Sequence, residues 1–250
     1  MSTDANLTAL TPGAGTLAPV FASGTFIYSA SVSNPNATVT FAPVASNANA
    51  LIEVRVNSGP YSTVASGSPS APLALNVGAN TVDVRVTAQD GVTVQTYATA
   101  VTRRSAFQDW ALANGVPADP TATGANGLSN LMNFAFGLNP NGPGSGTLVL
   151  NGTFAGGGSI TANGQPITMM QPTANGVDFR ALYVRRKDYA AAGLGYATEF
   201  SGTLASWATS GAIPAVLADD GTYQIVSVPY PPLVAGKMGR FFRVRITQTP

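Results

Sequence analysis

The stretch NTVDVRVTAQDGVTVQTYATAVT, residues 80–102, decides how this chain folds. In its first half Val82, Val84 and Val86 alternate with polar side chains, which is the pattern of a strand with one buried face. An Asp-Gly pair at Asp90 separates this run from a second alternating run, and such a pair favours a tight hairpin turn. The stretch therefore predicts an antiparallel β-hairpin.

Strands of the same kind occur towards the N-terminus. The segment LIEVRV, residues 51–56, again alternates aliphatic residues with an acid and an arginine, Glu53 and Arg55. Because Asp83 and Arg85 occupy the same places in the hairpin, we predict ion pairs between the two strands on a solvated face. The N-terminal part of the chain holds roughly seven such strands with turn residues between them, which predicts a β-sandwich.

The composition excludes several classes of function. Of the 250 residues, 45% are hydrophobic and only 9% are charged, and the formal net charge is +1. Such a chain has no strong field to attract nucleic acid, and it has no run of about 18 apolar residues to insert into a membrane. It contains no cysteine and no histidine, which excludes disulfides, thiolate chemistry and a Ser-His-Asp triad. Only aspartate, lysine, tyrosine and two glutamates, Glu53 and Glu199, remain as candidates for acid–base chemistry, so we predict a protein that is not an enzyme.

The N-terminal strands also carry a spaced set of residues that is similar to a known family. The set begins with Leu-x-x-Leu and a Gly-x-Leu-x-Pro-x-Phe segment, and it ends with Gly-x-Asn, an Asp-Gly turn and a Thr-Tyr strand closed by arginine. This pattern resembles the bacterial cadherin-like β-sandwich domain over residues 7–103. The resemblance implies an immunoglobulin-like, non-catalytic module of surface and multidomain proteins. The matching residues are Leu7, Leu10, Gly15, Leu17, Pro19, Phe21, Tyr28, Gly78, Asn80, Asp90, Gly91, Tyr97 and Arg103.

The periodicity changes after the last of these strands. The segment SAFQDWALANG, residues 105–115, predicts a short helix that is capped by Ser105 and ends at Gly115. A second helix is predicted over about residues 128–136 and is closed by Gly137. These two helices define a connector.

The loop between the two helices has the spacing of a calcium loop but lacks its charges. When Gly127 takes the sixth position, two of the five ligand positions hold alanine and glycine, and the other three hold Asn126, Asn130 and Asn133. The last position requires a bidentate carboxylate, which Asn133 does not supply. Calcium affinity depends on the number of charged ligands, so we predict no metal and no other cofactor here. We expect the loop to act as a packed hinge between two domains.

The connector nevertheless resembles one found near the C-termini of large secreted proteins of Verrucomicrobia and Planctomycetes. That connector reads Phe-x-x-Trp, Asn-Gly-x-Pro, an Asp-rich loop and Gly-Leu-Ser-Asn-Leu, and it has glutamate where this chain has Asn133. The C-terminal part of the chain resembles the β-module that follows it, including a final Phe-Phe-Arg-Val strand, and this resemblance brings no activity with it. The connector residues retained here are Phe107, Trp110, Asn114, Gly115, Pro117, Leu128, Asn130, Leu131, Ala135, Gly137 and Pro140.

Alternating strands return in the C-terminal part of the chain and predict a second β-sandwich. The predicted fold class is therefore all-β, with two immunoglobulin-like or cadherin-like sandwiches joined by a short two-helix connector. The predicted domains are residues 1–103, the connector 104–145 and residues 146–250.

Two candidate ligand sites lie in this second sandwich. Arg185, Arg186 and Lys187 suit an acidic glycan or a phosphate, although their alternation with apolar residues favours a solvated edge strand. Trp207 suits stacking on a sugar, although a tryptophan of a sandwich belongs more often to its core.

The remaining charged residues of the second sandwich are predicted to have structural roles. Arg243 and Arg245 alternate with apolar residues, so we predict that they face outwards and pair with acids on a neighbouring strand. Asp219 and Asp220 precede a glycine and predict a turn.

Three functions remain open at this point. The first is a structural or adhesion protein of a cell surface or a fibre, which associates with itself or with other surface proteins through unpaired sheet edges. The second is a virion component such as a decoration or tail protein, and the third is a carbohydrate-binding accessory module of a secreted enzyme, with glycans as partners. We expect an extracellular or cell-surface location as part of a secreted parent, or a place in a virion. The first residues lack the segments of a signal peptide, so whether Met1 is the native start stays open.

Overall fold

The computed structural model describes residues 1–142, 150–153, 159–162, 164–173, 176–232 and 238–249. Strands dominate this part of the chain and two short helices lie between them, so the prediction of an all-β fold is confirmed. The chain divides into two compact units, Met1–Asp109 and Trp110–Pro250.

The first unit contains nine strands and the start of helix α1. Its strands are β1 (Leu7–Pro12), β2 (Ile27–Val32), β3 (Thr38–Val39), β4 (Phe41–Ala45), β5 (Leu51–Val56), β6 (Ser62–Thr63), β7 (Leu73–Ala74), β8 (Gly78–Thr87) and β9 (Val94–Arg103), and α1 is Ala106–Asn114.

The β8–β9 hairpin forms the middle of the largest sheet of this unit. The strand order of that sheet is β2-β9-β8-β5-β6, and β2 runs parallel to β9. In the predicted turn, the carboxylate of Asp90 accepts hydrogen bonds from the backbone N–H groups of Val92 and Thr93, both at 2.9 Å. Val82, Val84 and the other inward valine of β8 are fully buried, as their alternation predicts.

A second layer is formed by the pairs β1–β4 and β3–β7. The apolar core of the first unit combines residues of both layers, including Leu7, Phe41, Ile52 and Tyr97. A sandwich with one core follows from this arrangement, because each layer buries only one of its faces.

Helix α2 spans Asn130–Phe136 and belongs to the second unit. Its N-cap is Ser129, whose hydroxyl accepts a hydrogen bond from the backbone N–H of Met132, and its C-cap is Gly137 in the left-handed conformation, with φ of 68°. The predicted closure at Gly137 is confirmed, whereas the helix begins two residues later than predicted because Ser129 holds the capping position.

The strands of the second unit are β10 (Leu150–Thr153), β11 (Ser159–Ala162), β12 (Ile167–Thr173), β13 (Gly176–Arg186), β14 (Leu194–Ser201), β15 (Ala208–Thr209), β16 (Ala215–Asp219), β17 (Tyr223–Pro229) and β18 (Phe241–Gln248). They form a sheet of order β12-β13-β17-β16, a sheet of order β15-β14-β18 and the hairpin β10–β11.

The two larger sheets of the second unit face each other across an apolar core. Tyr183 and Val226 contribute from the first sheet, Phe200 and Val244 contribute from the second, and Phe136 contributes from helix α2. The helix of the connector is therefore part of the C-terminal core.

Candidate functional site

The calcium-type loop is closed by a pair of amides. The side-chain N–H of Asn126 donates to Oδ1 of Asn133 at 2.6 Å, and the amide of Asn133 donates back to Oδ1 of Asn126 at 3.3 Å. Asn126 also donates to the carbonyl of Asn139 at 2.9 Å and accepts from the backbone N–H of Leu128 at 3.0 Å. Asn133 is fully buried. The sequence placed both amides at ligand positions, and the structure brings them together as each other's partner.

The other ligand positions of the loop are also occupied by protein contacts. A Cβ on Gly124 would lie 2.7 Å from the carbonyl oxygen of Pro140 and 3.1 Å from Nδ2 of Asn133, so a ligand-bearing side chain does not fit at this position. Asn130 donates to the carbonyl of Pro117 at 2.9 Å, and its own Oδ1 is buried without a hydrogen-bond partner among the described residues. The three amides therefore do not point at one common centre.

The acid nearest to this loop is used in a local turn. Oδ1 of Asp119 accepts hydrogen bonds from the backbone N–H and the hydroxyl of Thr121, both at 2.8 Å. The backbone hydrogen bond from Thr121 is the main reason why the pKa of Asp119 lies below its ordinary value. In the described part of the chain, no three acidic, histidine or cysteine side chains come together as a metal-binding group.

The predicted basic cluster is divided among different partners. The pairing of β13 with β12 ends at Leu182, and the last residues of β13 pair only with β17 among the described strands. This end of β13 therefore lies at the edge of the sheet, as predicted. Arg185 donates to Gln224 at 3.1 Å, and Lys187 forms an ion pair with Asp219 at 3.0 Å. The cluster therefore offers no set of free cations to a phosphate or an acidic glycan.

The prediction that the basic cluster is solvated is wrong for Arg186. Its side chain is only 14% exposed, because the guanidinium lies 4.5 Å from the ring centre of Phe134. It also pairs with both carboxylate oxygens of Asp188 at 2.8 Å. A pocket of about 300 Å³ adjoins this group, and its charged lining consists of residues that are already paired.

Trp207 immediately precedes β15 and is half-buried, rather than fully buried in the core. The guanidinium of Arg243 lies 4.5 Å from its ring centre. Cation–π contacts of this kind hold an aromatic ring in place. One face of Trp207 is thus already covered by a protein side chain.

A single buried carboxylate anchors the arginines of β18. Glu199 accepts from Arg243 at 2.7 Å and from Arg245 at 2.8 Å, and its residue is only 6% exposed. The hydrogen bonds from Arg245 and Arg243 hold the pKa of Glu199 below its ordinary value. The prediction that both arginines face outwards and pair with an acid is confirmed.

The acidic pair after β16 forms the predicted turn. Oδ1 of Asp220 accepts from the backbone N–H groups of Thr222 at 2.8 Å and Tyr223 at 2.6 Å. The side chain of Gln224 and the backbone N–H of Gly221 lower the pKa of Asp219 to about 2. These acids stabilise a turn, so they are not available as a catalytic pair.

A groove of about 590 Å³ lies beside β14 and β15. Apolar and small residues line most of it, including Phe200, Tyr230 and Pro231. The hydroxyl of Tyr230 lies 2.8 Å from that of Thr168. Among the described residues, its lining contains no charged side chain.

The large sheet of the first unit carries two ion pairs between neighbouring strands. Arg55 pairs with Asp83 at 2.8 Å and Arg85 pairs with Glu53 at 2.7 Å, which confirms the predicted cross-strand pairs. Tyr61 lies between the two guanidiniums, at 4.6 Å from that of Arg55 and 4.0 Å from that of Arg85. The sequence did not indicate the role of this tyrosine, because β6 follows β5 through a loop without a regular pattern.

Two polar residues of the family pattern stabilise the first sandwich through hydrogen bonds to its backbone. The hydroxyl of Tyr97 accepts from the backbone N–H of Leu7 at 2.9 Å and donates to the carbonyl of Ser23 at 3.1 Å. The side chain of Asn80 both donates to and accepts from the backbone of Asn76 at 2.9 Å. Tyr97 therefore links segments that are distant in sequence, and Asn80 holds the loop that leads into β8.

A comparison with known protein families gives a match for the first sandwich. Residues 4–104 match the family described as the cadherin-like beta sandwich domain. Domains of this family are modules of a structural or adhesion type that are generally non-enzymatic and typically extracellular. No curated protein matches the chain. Neither helix of the described residues has the length and hydrophobicity of a membrane span.

Proposed function

We propose that this protein is a non-enzymatic structural or adhesion component of a cell surface or an extracellular assembly, and that it associates with further copies of itself through strand edges. The observation that carries the proposal is the match of residues 4–104 to a cadherin-like β-sandwich. Such sandwiches present strands and loops for protein contacts and do not need a reactive centre.

The use of the polar side chains supports a scaffold. Tyr97 and Asn80 hydrogen-bond to backbone groups inside the first unit, and Glu199 binds two arginines of the second. Catalytic groups are normally held in a cleft with a perturbed pKa and an open approach for substrate. Tyr97, Asn80 and Glu199 are instead bound to neighbouring groups of the protein, which favours a role in stability over a role in chemistry.

We also propose that the connector loop works without a metal. The reciprocal hydrogen bonds of Asn126 and Asn133 occupy the positions where a calcium loop requires charged ligands. Neutral amides satisfy each other without a cation, whereas two carboxylates at this distance repel unless an ion lies between them. The loop is then folded at any calcium concentration.

The experiment that tests the proposal measures molar mass against concentration for the intact chain. Multi-angle light scattering and analytical ultracentrifugation are expected to show reversible association, and negative-stain imaging is expected to show the assemblies. A strict monomer at all accessible concentrations contradicts self-association.

Two further measurements separate this proposal from the other candidate functions. Binding on a glycan array that is lost in Trp207→Ala would instead identify a carbohydrate-binding module. Capsid or tail genes beside the gene for this chain would instead identify a virion component.

A further inference from the structure

Strand β18 has one side without a partner strand in the described part of the molecule. It pairs with β14 along its full length, from Phe241 opposite Ser201 to Gln248 opposite Leu194, with no shift in register. It is the last strand in the order β15-β14-β18. A regular eight-residue edge without proline or a bulge is the kind that readily adds another strand.

The register shows which backbone groups point to the open side. The backbone N–H of Thr249 donates to the carbonyl of Gly193 at 2.8 Å, so the odd-numbered residues of β18 are the hydrogen-bonded partners of β14. The N–H and C=O groups of the even-numbered residues, including Phe242, Val244 and Ile246, therefore point away from β14. They form a row of donors and acceptors that matches another strand.

The side chains of the same three residues are only partly covered. Phe242, Val244 and Ile246 pack against the core of the second unit but remain partly exposed. The opposing sheet has four strands, whereas the sheet that ends at β18 has three. One more strand beside β18 would bury this apolar row, and burial of apolar surface is the main favourable contribution to association.

The charges on β18 do not protect its edge in the usual way. Exposed cations often keep sheet edges from pairing. Here Arg243 and Arg245 are bound sideways to Glu199 on β14, and Arg243 also stacks on Trp207. Helix α2 approaches β18 through the apolar cluster.

We propose that β18 is the surface at which a second copy of this chain docks, by antiparallel pairing of the two β18 strands about a twofold axis. This inference rests on the proposed function and specifies its contact. Antiparallel pairing of a strand with its own copy is self-complementary, as a twofold interface requires. Because the free backbone groups belong to even-numbered residues, the apolar row of one copy continues the apolar row of the other in every permitted register.

The charges exclude the registers centred on residues 243, 244 and 245, and among the remaining registers the one centred on Ile246 pairs the longest part of the two strands. Like charges directly opposite each other destabilise a strand pair. Pairing centred on Ile246 sets Arg245 opposite Thr247 of the second copy, which keeps the arginines apart. The two three-stranded sheets then form one continuous six-stranded sheet.

Cysteine cross-linking of the full chain tests the geometry directly, because the protein has no cysteine of its own. Thr247→Cys on β18 is compared with Thr209→Cys on β15, the opposite edge strand of the same sheet; both threonines are exposed. With a short bismaleimide, we expect a cross-linked dimer from Thr247→Cys and none above background from Thr209→Cys.

A charge substitution at the same two positions tests the energetics. Thr247→Lys places a cation opposite Arg245 of the second copy and is expected to weaken dimerisation by about tenfold. Thr209→Lys is expected to leave dimerisation unchanged, and the melting curve of each variant shows whether it is folded.

The outcomes separate this inference from the proposed function. Self-association without cross-linking at position 247 and without an effect of Thr247→Lys overturns the β18 contact and leaves the structural role intact. A chain that stays monomeric at every concentration overturns both.

Discussion

At the scale of single residues, several of the scarce charges of this chain form ion pairs. Glu199 is one of only two glutamates, and it binds both Arg243 and Arg245 at 2.7 and 2.8 Å. Half-exposed ion pairs contribute little on average, but a carboxylate that is itself buried and accepts two charged hydrogen bonds contributes more. The effect of Glu199 on stability should therefore be measurable.

We expect Glu199→Gln to destabilise the second unit in a pH-dependent way. The folded protein lowers the pKa of Glu199, so its ionised form favours folding. That contribution is fully present above the unfolded pKa of about 4.3 and is lost as the pH falls through the lower, folded value. Denaturant unfolding at pH 7 and at lower pH measures it: the difference between the parent protein and the variant should shrink on acidification. A difference that stays constant with pH would mean that only the shape of the side chain matters.

At the scale of elements, the loop before α2 shows how neutral side chains replace a charged site. Asn126 and Asn133 link the loop to the helix by two side-chain hydrogen bonds, and Gly124 allows the close approach of Pro140. Because Asn133 is fully buried, each of its polar atoms needs a partner. The stability of α2 therefore depends on this pair.

We expect Asn133→Ala to lower the free energy of unfolding of the second unit by about 1–3 kcal/mol, because it removes a buried amide together with its hydrogen bonds to Asn126 and to the carbonyl of Leu128. The matched control is Asn139→Ala, since the Asn139 side chain is exposed and accepts a single hydrogen bond from the backbone of Asn141. Chemical denaturation measures both variants. Equal losses in the two variants would argue against a special role of the pair.

Calcium is expected to leave the melting temperature unchanged, up to millimolar concentration. A ligand that binds only the folded state raises the melting temperature, and the increase grows with the logarithm of the ratio of ligand concentration to Kd. Differential scanning calorimetry with calcium, and with magnesium as the control, measures this. An increase of several degrees specific to calcium would show that the amides do bind the ion.

At the scale of the whole molecule, each unit has an apolar core made of its own residues. The core of Met1–Asp109 includes Leu7, Tyr28 and Tyr97. The unit Trp110–Pro250 has two apolar clusters, and the larger one includes Phe136. Cooperative unfolding follows the units that share a core. A substitution in one core should therefore act mainly on its own unit.

Tyr97→Phe tests this independence. The substitution removes the hydroxyl that accepts from the buried N–H of Leu7, so we expect a loss of about 1–3 kcal/mol in the first unit. Hydrogen exchange with mass spectrometry should show weaker protection in strands of the first unit and unchanged protection in the second. Tyr61→Phe is the control, because its ring contacts with Arg55 and Arg85 do not require the hydroxyl. Equal loss of protection in both units would show that the chain unfolds as one body.

The amino-acid sequence alone determined the local structure of this protein. Alternation along β8, the Asp90 turn, the cap at Gly137 and the outward pairing of Arg243 were all predictable, because each depends on near neighbours or on the simple geometry of adjacent strands. The cadherin-like pattern was readable for the same reason, since its spacing follows from strands and turns.

Only the tertiary structure decided which distant side chains meet. It brought Asn126 onto Asn133, placed Arg186 on Phe134 instead of in solvent, and left one side of β18 without a described partner strand. These contacts depend on the order of the strands in each sheet and on the packing of α2 against them. Local periodicity carries no information about either, because many strand orders bury the same alternating faces.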